Sequence, residues 1–415
     1  MESGGSEPND PSPLPSSKGG EKGGKEAFCV TAIGKLIIYR DENVIAEICD
    51  IMGSIKKSMG KLKERASMAL NLDRRSAGQW MTDGDPFYMP VFAEWLDGVY
   101  SKIGKTRITA CEPYAGKLGL VAHLRVRGLD DGRIDWSAYD IAPQDELLAG
   151  GIEIGKANTL RSIPSSPYDL IVTNPPYLAR NSARRRGLPF PFDERGIGIE
   201  KPADLYQFAL DTCLESASYC VMLIPESFIT CRYDKGRCDA ILSLRGGLFE
   251  DTDCPVCLAL FSPDGREGGP LIYSNGGKLL GSLDGIRRES ERLIGDKANP
   301  IKMNDPDGDC SLIAIDSTAG RSIRFAGRDA VRREDVKVSS RALTRCSRAD
   351  GKPITPEIID EANRILETWR DETADVLMTP FKGVRKDGLY RRRLAFAEAK
   401  GILSTAIGNV DRNIG

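Results

Sequence analysis

Long apolar runs are missing from this sequence. No stretch approaches the roughly 20 residues that a membrane span needs, and the longest candidates, such as Cys220–Pro225, have the length of buried strands. No membrane partner is expected. The first residues carry no basic-then-apolar leader, so nothing points to export, and the expected location is cytoplasmic. Metal-ligand clusters are scarce as well. Cys254-Pro-Val-Cys257 is the one C-x-x-C pair and His123 the one histidine, whereas a structural zinc site takes about four ligands. No metal is expected, and the 11 scattered cysteines read as reduced core thiols of a cytosolic protein. Nor is there an excess of charge of one sign: the formal net charge is -2, which does not announce a nucleic-acid binder. There is no internal repeat.

What is present is an ordinary globular composition, 40% hydrophobic and 28% charged, over 415 residues, more than one average domain. Residues 1–26, rich in Gly, Ser, Pro and charge, cannot support a core and read as a disordered tail. Residues 27–80 read as a helical N-terminal segment built on Val44–Leu70, whose apolar positions recur at helical spacing. From 81 to 262 short apolar strands alternate with helices. The expected strands are Arg107–Glu112, Asp135–Asp140, Ile152–Asn158, Tyr168–Thr173, Tyr219–Ile224 and Cys254–Phe261, with a helix over Ala203–Ala217. That alternation predicts an α/β fold with a doubly wound, mostly parallel Rossmann-like sheet, in which ligands bind at the carboxyl ends of the strands. Residues 263–415 read as a smaller, less regular C-terminal domain with one clear helix, Pro356–Thr373.

Charge is uneven along the chain. Between Gly320 and Lys352 ten basic residues, Arg328, Arg332 and Arg333 among them, face four acidic ones. A second cluster holds Lys382, Arg385, Lys386, Arg391, Arg392 and Arg393, and a third holds Arg180, Arg184, Arg185 and Arg186. A charge run is usually a solvated face, but three in one chain suit local contact with phosphates. The third run continues into Phe190 and Phe192, which add aromatic faces or form part of an ordinary surface loop.

The most specific motif is Asn174-Pro175-Pro176-Tyr177, directly after the expected strand ending at Thr173. One reading is a rigid turn. The other is chemical. The lone pair of an exocyclic amine on a nucleobase is delocalised into the ring, so the amine is a poor nucleophile. Two acceptors aimed at its hydrogens pull it towards tetrahedral geometry and free the lone pair. The side-chain oxygen of Asn174 supplies one acceptor and the carbonyl of Pro175 the other, held in place because proline fixes φ. This is catalysis by preorganised hydrogen bonding. Tyr177 offers a ring on which a base can stack, worth roughly 1–3 kcal/mol, against the few kcal/mol that flipping a nucleotide out of a duplex costs.

The segment resembles the Asn-Pro-Pro-Tyr motif of amino-methylating nucleic-acid methyltransferases. The motif order is similar to that of the DNA adenine-N6 group whose recognition domain is C-terminal. Cys111-Glu112-Pro113-Tyr114-Ala115-Gly116-Lys117-Leu118-Gly119 resembles the family's loop for S-adenosylmethionine. The resemblance implies cofactor roles for Phe87, Glu112, Pro113, Gly116, Asp140 and Asn158. Phe87 lies in Pro86-Phe87-Tyr88-Met89-Pro90, similar to an aromatic-Thr-Pro element, and would pack against the cofactor. Asp140 would hold the ribose hydroxyls, and Asn158 would face the adenine. The chain departs from the pattern at Leu118, where the family usually has glycine, and at Asn158, where it more often has aspartate. The implied partner is double-stranded DNA, with the cognate restriction endonuclease of a restriction-modification system as a second. The implied nucleic-acid contacts are Arg184, Arg185, Arg186, Phe190, Phe192, Arg328, Arg332 and Arg333. The likeness covers about residues 81–262; beyond that it rests on domain order and charge.

Three other functions share parts of this pattern. A protein glutamine methyltransferase meets the same delocalised lone pair, but usually has an Asp-x-Gly cofactor loop and lacks a basic extension. RNA base methylation fits the same motif. A non-catalytic nucleic-acid-binding protein on a methyltransferase fold would accommodate Leu118 and Asn158, but has no need of an intact Asn174–Tyr177.

Overall fold

The computed structural model describes residues 27–30, 36–39, 80–143, 151–188, 190, 203–250, 252–337 and 341–414. The chain divides into two compact units, Met1–Asp73 and Arg74–Gly415. In the first, β1 (Ala27–Val30) and β2 (Leu36–Tyr39) pair antiparallel, strands that the expectation of a helical 27–80 segment did not include. The helix expected over Val44–Leu70 and the tail expected over 1–26 lie outside the described residues.

The second unit is built on a mixed α/β sheet of nine strands. They are β3 (Ile108–Glu112), β4 (Ile134–Asp140), β5 (Ile154–Lys156), β6 (Tyr168–Thr173), β7 (Ala217–Pro225), β8 (Cys238–Ser243), β9 (Val256–Phe261), β10 (Leu271–Tyr273) and β11 (Leu279–Ser282). Their order across the sheet is β11-β10-β8-β9-β7-β6-β3-β4-β5. Pairing is parallel except at β9, antiparallel to both neighbours, and at β11. The doubly wound, mostly parallel sheet expected from the sequence is therefore present. Its central strands are buried along nearly their whole length, β9 at every position, which explains their continuous apolar runs. Cys257 is buried within β9 and is a free thiol.

Helices α1 (Pro90–Ile103), α2 (Gly119–Val126), α3 (Arg180–Arg185) and α4 (Leu205–Ser216) lie between the strands. Proline at the first turn starts α1 and Gly104, at φ 64°, ends it. A reciprocal cap between Asp204 and Gln207 starts α4. The chain runs from β3 outward through β4 and β5, then returns to β6 on the other side of β3. The winding direction thus reverses between β3 and β6, and a ligand crevice is expected at their carboxyl ends.

The sheet does not stop at 262: β10 pairs parallel with β8, and β11 folds back on β10. The remainder is more regular than its Gly-rich sequence suggested. A four-stranded sheet, in the order β12 (Ile301–Met303), β15 (Leu343–Arg348), β13 (Cys310–Ile313), β14 (Arg324–Gly327), packs with α5 (Leu283–Ile294), α6 (Pro356–Thr373) and α7 (Phe396–Ile414) around its own core. Trp369 and Phe325 are buried there. A hairpin, β16 (Thr379–Val384) and β17 (Tyr390–Arg393), completes the unit. No helix among the described residues is long and apolar enough to cross a membrane.

Candidate functional site

Asn174 is the first residue after β6 and Glu112 the last of β3, so the two strongest sequence motifs flank the reversal point. The side chain of Asn174 is held by its amide group, which donates to the Trp80 carbonyl at 2.8 Å and the Thr82 hydroxyl at 3.0 Å. Its Oδ1 therefore faces the other way. There it lies within hydrogen-bond reach of the Tyr177 hydroxyl, which also lies 2.7 Å from the Leu223 carbonyl on β7. A phenol has one proton and Oδ1 two lone pairs, so an acceptor position on Asn174 stays open whichever oxygen Tyr177 serves. The Tyr177 ring is largely buried, edge-on to Phe249 at 6.4 Å between centroids. Just beyond it, the Asp204 carboxylate accepts from the Leu178 amide at 3.0 Å. Burial, opposed by its backbone hydrogen bonds, pushes this carboxyl up to about 6.

On the β3 side of the reversal point, the loop 113–118 folds over the end of β4. The Gly116 amide donates to Asp140 Oδ2 at 2.9 Å, and Asp140 Oδ1 accepts from the Ala142 amide at 2.8 Å. The Pro113 carbonyl accepts from the Thr159 hydroxyl. Asn158 turns its side chain back on its own chain, with Oδ1 3.3 Å from the Leu160 amide. The structure thus brings Gly116 into direct contact with Asp140, and Pro113 into contact with Thr159, the neighbour of Asn158. Glu112 is only 2% exposed, and its Oε2 has no hydrogen-bond partner among the described residues. Burial first, and the nearby Asp140 charge second, hold this carboxyl well above the usual carboxylate range.

Leu118 explains the departure from the glycine pattern. It sits in the left-handed region at φ 57°, a conformation that favours glycine, while its side chain is fully buried. The glycine that cannot be replaced is the next one: a Cβ on Gly119 would stand 2.3 Å from the Thr82 carbonyl oxygen. One short segment, Trp80–Thr82, therefore straps both motifs, touching Asn174 on one side and Gly119 on the other. The sequence reading missed this strap, because its residue types carry no motif. It also missed Phe249 and Asp204; the latter was legible as the Asp-x-x-Gln start of a helix.

Other expected residues fall elsewhere. Phe87 is a core residue, stacked on Phe92 at 4.5 Å between centroids. Phe190, expected to offer an aromatic face, is instead buried against Leu178, Leu205 and Phe208, with Arg180 over its ring. The apolar body of a ring beside a helix pair is covered in preference to staying wet. Arg184, Arg185 and Arg186 are exposed on and after α3, and Phe192 lies outside the described residues. Arg328 is exposed. Arg332 is paired with Asp335 at 2.9 Å, and Arg333 with Asp307 at 3.0 Å. The basic runs are not all surface: Arg345 donates to the Val331 and Pro306 carbonyls. Arg348, Arg385 and Arg392 are buried in ion pairs.

No protein-family model matches the chain, and no curated protein matches it. Among solved structures, it is similar to one described as a class I S-adenosylmethionine-dependent methyltransferase from Listeria monocytogenes, at 16% identity and TM-score 0.34, over 48% of this chain and 66% of that one. A type I restriction-modification methyltransferase subunit from Streptococcus thermophilus matches at 13% identity and TM-score 0.31, over 46% of this chain and 47% of that one. The type I restriction enzyme EcoKI M protein matches at 12% identity and TM-score 0.28, over 80% of this chain and 71% of that one. The matches span about half of the second structure and just under two thirds of the first.

Proposed function

We propose that this chain is an S-adenosylmethionine-dependent methyltransferase acting on the N6 amine of adenine in double-stranded DNA. The observation that carries the reading is the fixed Asn174. Its amide nitrogen is saturated by Trp80 and Thr82, and its oxygen, beside the Tyr177 hydroxyl, keeps an acceptor position at the carboxyl end of β6. The residues present fit the cofactor: Glu112 carries a buried carboxyl oxygen without a partner among the described residues, near Asp140, and polar oxygens there suit the hydroxyls of a ribose. Glu112, Pro113, Gly116, Asp140 and Asn158 would hold it, and Phe87 would support the wall from the core.

The bound cofactor would supply an electrophilic methyl group on its sulfonium. Asn174 Oδ1 and the Pro175 carbonyl accept the two hydrogens of the amine and free its lone pair for attack. Pro175 and Pro176 fix the turn that aims both acceptors, and Tyr177 closes the base pocket against Phe249. Arg184–Arg186, Arg328, Arg332 and Arg333 are candidate phosphate contacts. A restriction nuclease acting at the same sequence is the protein partner that this reading implies.

The test is transfer of labelled methyl from S-adenosylmethionine to unmethylated DNA, followed by nucleoside analysis. The expected product is N6-methyladenine. Loss of one oriented acceptor in Asn174→Ala lowers turnover by about 10²–10³-fold or more and leaves cofactor binding nearly intact. Label in RNA or in a protein glutamine instead of DNA would replace the substrate assignment. Wild-type turnover in Asn174→Ala would refute the role of that residue.

A further inference from the structure

The hairpin β16–β17 follows the C-terminal core in sequence, yet it is fastened to the carboxyl ends of the central strands. Arg392 of β17 donates to both oxygens of Glu226, the residue immediately after β7, with Nη2 2.9 Å from Oε1. The Gly246 amide, three residues beyond the end of β8, donates to the Gly388 carbonyl in the hairpin turn at 3.0 Å. A Cβ on Gly246 would stand 2.5 Å from Val384 Cγ2. These are the ends of strands that run parallel to β6. Leu223, whose carbonyl lies 2.7 Å from the Tyr177 hydroxyl, is only three residues before Glu226. The Asn-Pro-Pro-Tyr turn and the hairpin are therefore attached to the same end of β7.

The hairpin's charge is one-sided. Its buried arginines are neutralised internally: Arg392 by Glu226, and Arg385 by Asp316 and Asp387. Asp387 is the only acidic residue from 379 to 393, and Arg385 already engages it. Lys382 and Lys386 are exposed and Arg393 half-buried, and none of the three has a carboxylate within ion-pair distance among the described residues. Arg391 lies over the Phe381 ring at 5.0 Å and donates to a backbone carbonyl. Arg332 and Arg333, by contrast, already hold carboxylates. An unpaired cation releases a counterion from a phosphate chain without first breaking an ion pair.

We infer that the β16–β17 hairpin is a phosphate clamp, in which Lys382 and Lys386 grip the backbone of duplex DNA beside the nucleotide presented to Asn174. This rests on the DNA reading above. A polyanion held there is set at the mouth of the crevice, because the hairpin is pinned to the strand that carries the Tyr177 contact.

The test compares the full chain with Lys382→Ala/Lys386→Ala for binding to a labelled DNA duplex across a salt series. Removing two phosphate contacts lowers the slope of log affinity against log salt by about 1.8. The wild type should then lose about tenfold more affinity than the variant between about 50 and 200 mM salt. S-adenosylmethionine binding, measured in parallel, stays unchanged. A variant with the wild-type slope overturns the clamp and leaves the DNA reading standing. A wild type that binds S-adenosylmethionine but no duplex overturns both.

Discussion

The Glu226–Arg392 pair is the strongest test of how this unit is held together. Glu226 is 1% exposed and Arg392 3% exposed. The contact is two-pronged, and Glu226 accepts a further bond from the Ser243 hydroxyl. Two unit charges at about 4 Å attract by about 4 kcal/mol at an effective dielectric of 20, and desolvation of both ions offsets much of that. Removing one partner is a different matter, because the other charge stays buried. Arg392→Met, like Glu226→Met, should cost about 3–5 kcal/mol, a large share of the roughly 5–15 kcal/mol by which domains are stable. The double variant buries two apolar chains instead, leaving mainly the Ser243 hydroxyl without its acceptor, at about 1–3 kcal/mol. The cycle should therefore show a coupling energy of about 3 kcal/mol or more, at the top of the range for contacting residues. Urea unfolding followed by circular dichroism measures all four proteins. Single variants that each cost less than about 1 kcal/mol and add in the double would match an exposed pair and refute this account of the hairpin's anchor.

Two further outcomes follow from the geometry. Gly119→Ala drives a methyl group into the Thr82 carbonyl, so it should cost about 1–3 kcal/mol in stability and weaken S-adenosylmethionine binding in calorimetry. Unchanged values in both would mean that the Trp80–Thr82 strap is not tightly held. Burial tends to raise the Asp316 carboxyl, but the Arg370 guanidinium, 2.8 Å away, and the Ser322 amide outweigh it and hold it below its ordinary value. A depressed carboxyl contributes stability above its unfolded value and loses it as pH falls through the folded one. The stability gap between wild type and Asp316→Asn should thus be full at neutral pH and shrink below about pH 4; a gap independent of pH would refute the role of that ionised form.

The candidate site was legible because its chemistry is local in sequence. Asn174-Pro-Pro-Tyr and Glu112-Pro each occupy a few consecutive residues at the end of a strand whose apolar run could be recognised. Strands β6 and β9 fell within a residue or two of their expected positions, and α6 where it was expected, for the same reason. Strands β10 and β11 were not foreseen because each is three or four residues long and borrows its stability from β8. Helix α7 was passed over although buried Ile402, Leu403, Ala406 and Ile407 recur at helical spacing. The strap at Trp80–Thr82 could not be seen at all. It acts through a backbone carbonyl and a hydroxyl, about 90 residues from its partner, and a single sequence does not record such a meeting.

Charge was the least legible property, and the reason is physical. A run of arginines has the same sequence whether it faces water or closes a buried network, and the difference lies in where the carboxylates return in space. Arg370 meets Asp316 and Asp375 in the core, and Arg385 reaches the same Asp316. Arg392 meets Glu226 across 166 positions. The pairings of Arg385 and Arg392 remove from the surface part of the positive charge that marked the cluster Lys382–Arg393 as a candidate phosphate contact. The exposed cations that remain include Arg328, Lys337, Arg341 and Lys352 of the first run, and Lys382 and Lys386 on the element that Arg392 pins beside β7. Arg392, a buried member of the second cluster, thus decides where its exposed members stand, and its anchor beside the end of β7 is why the hairpin is the place to look for a grip on a polyanion next to Asn174.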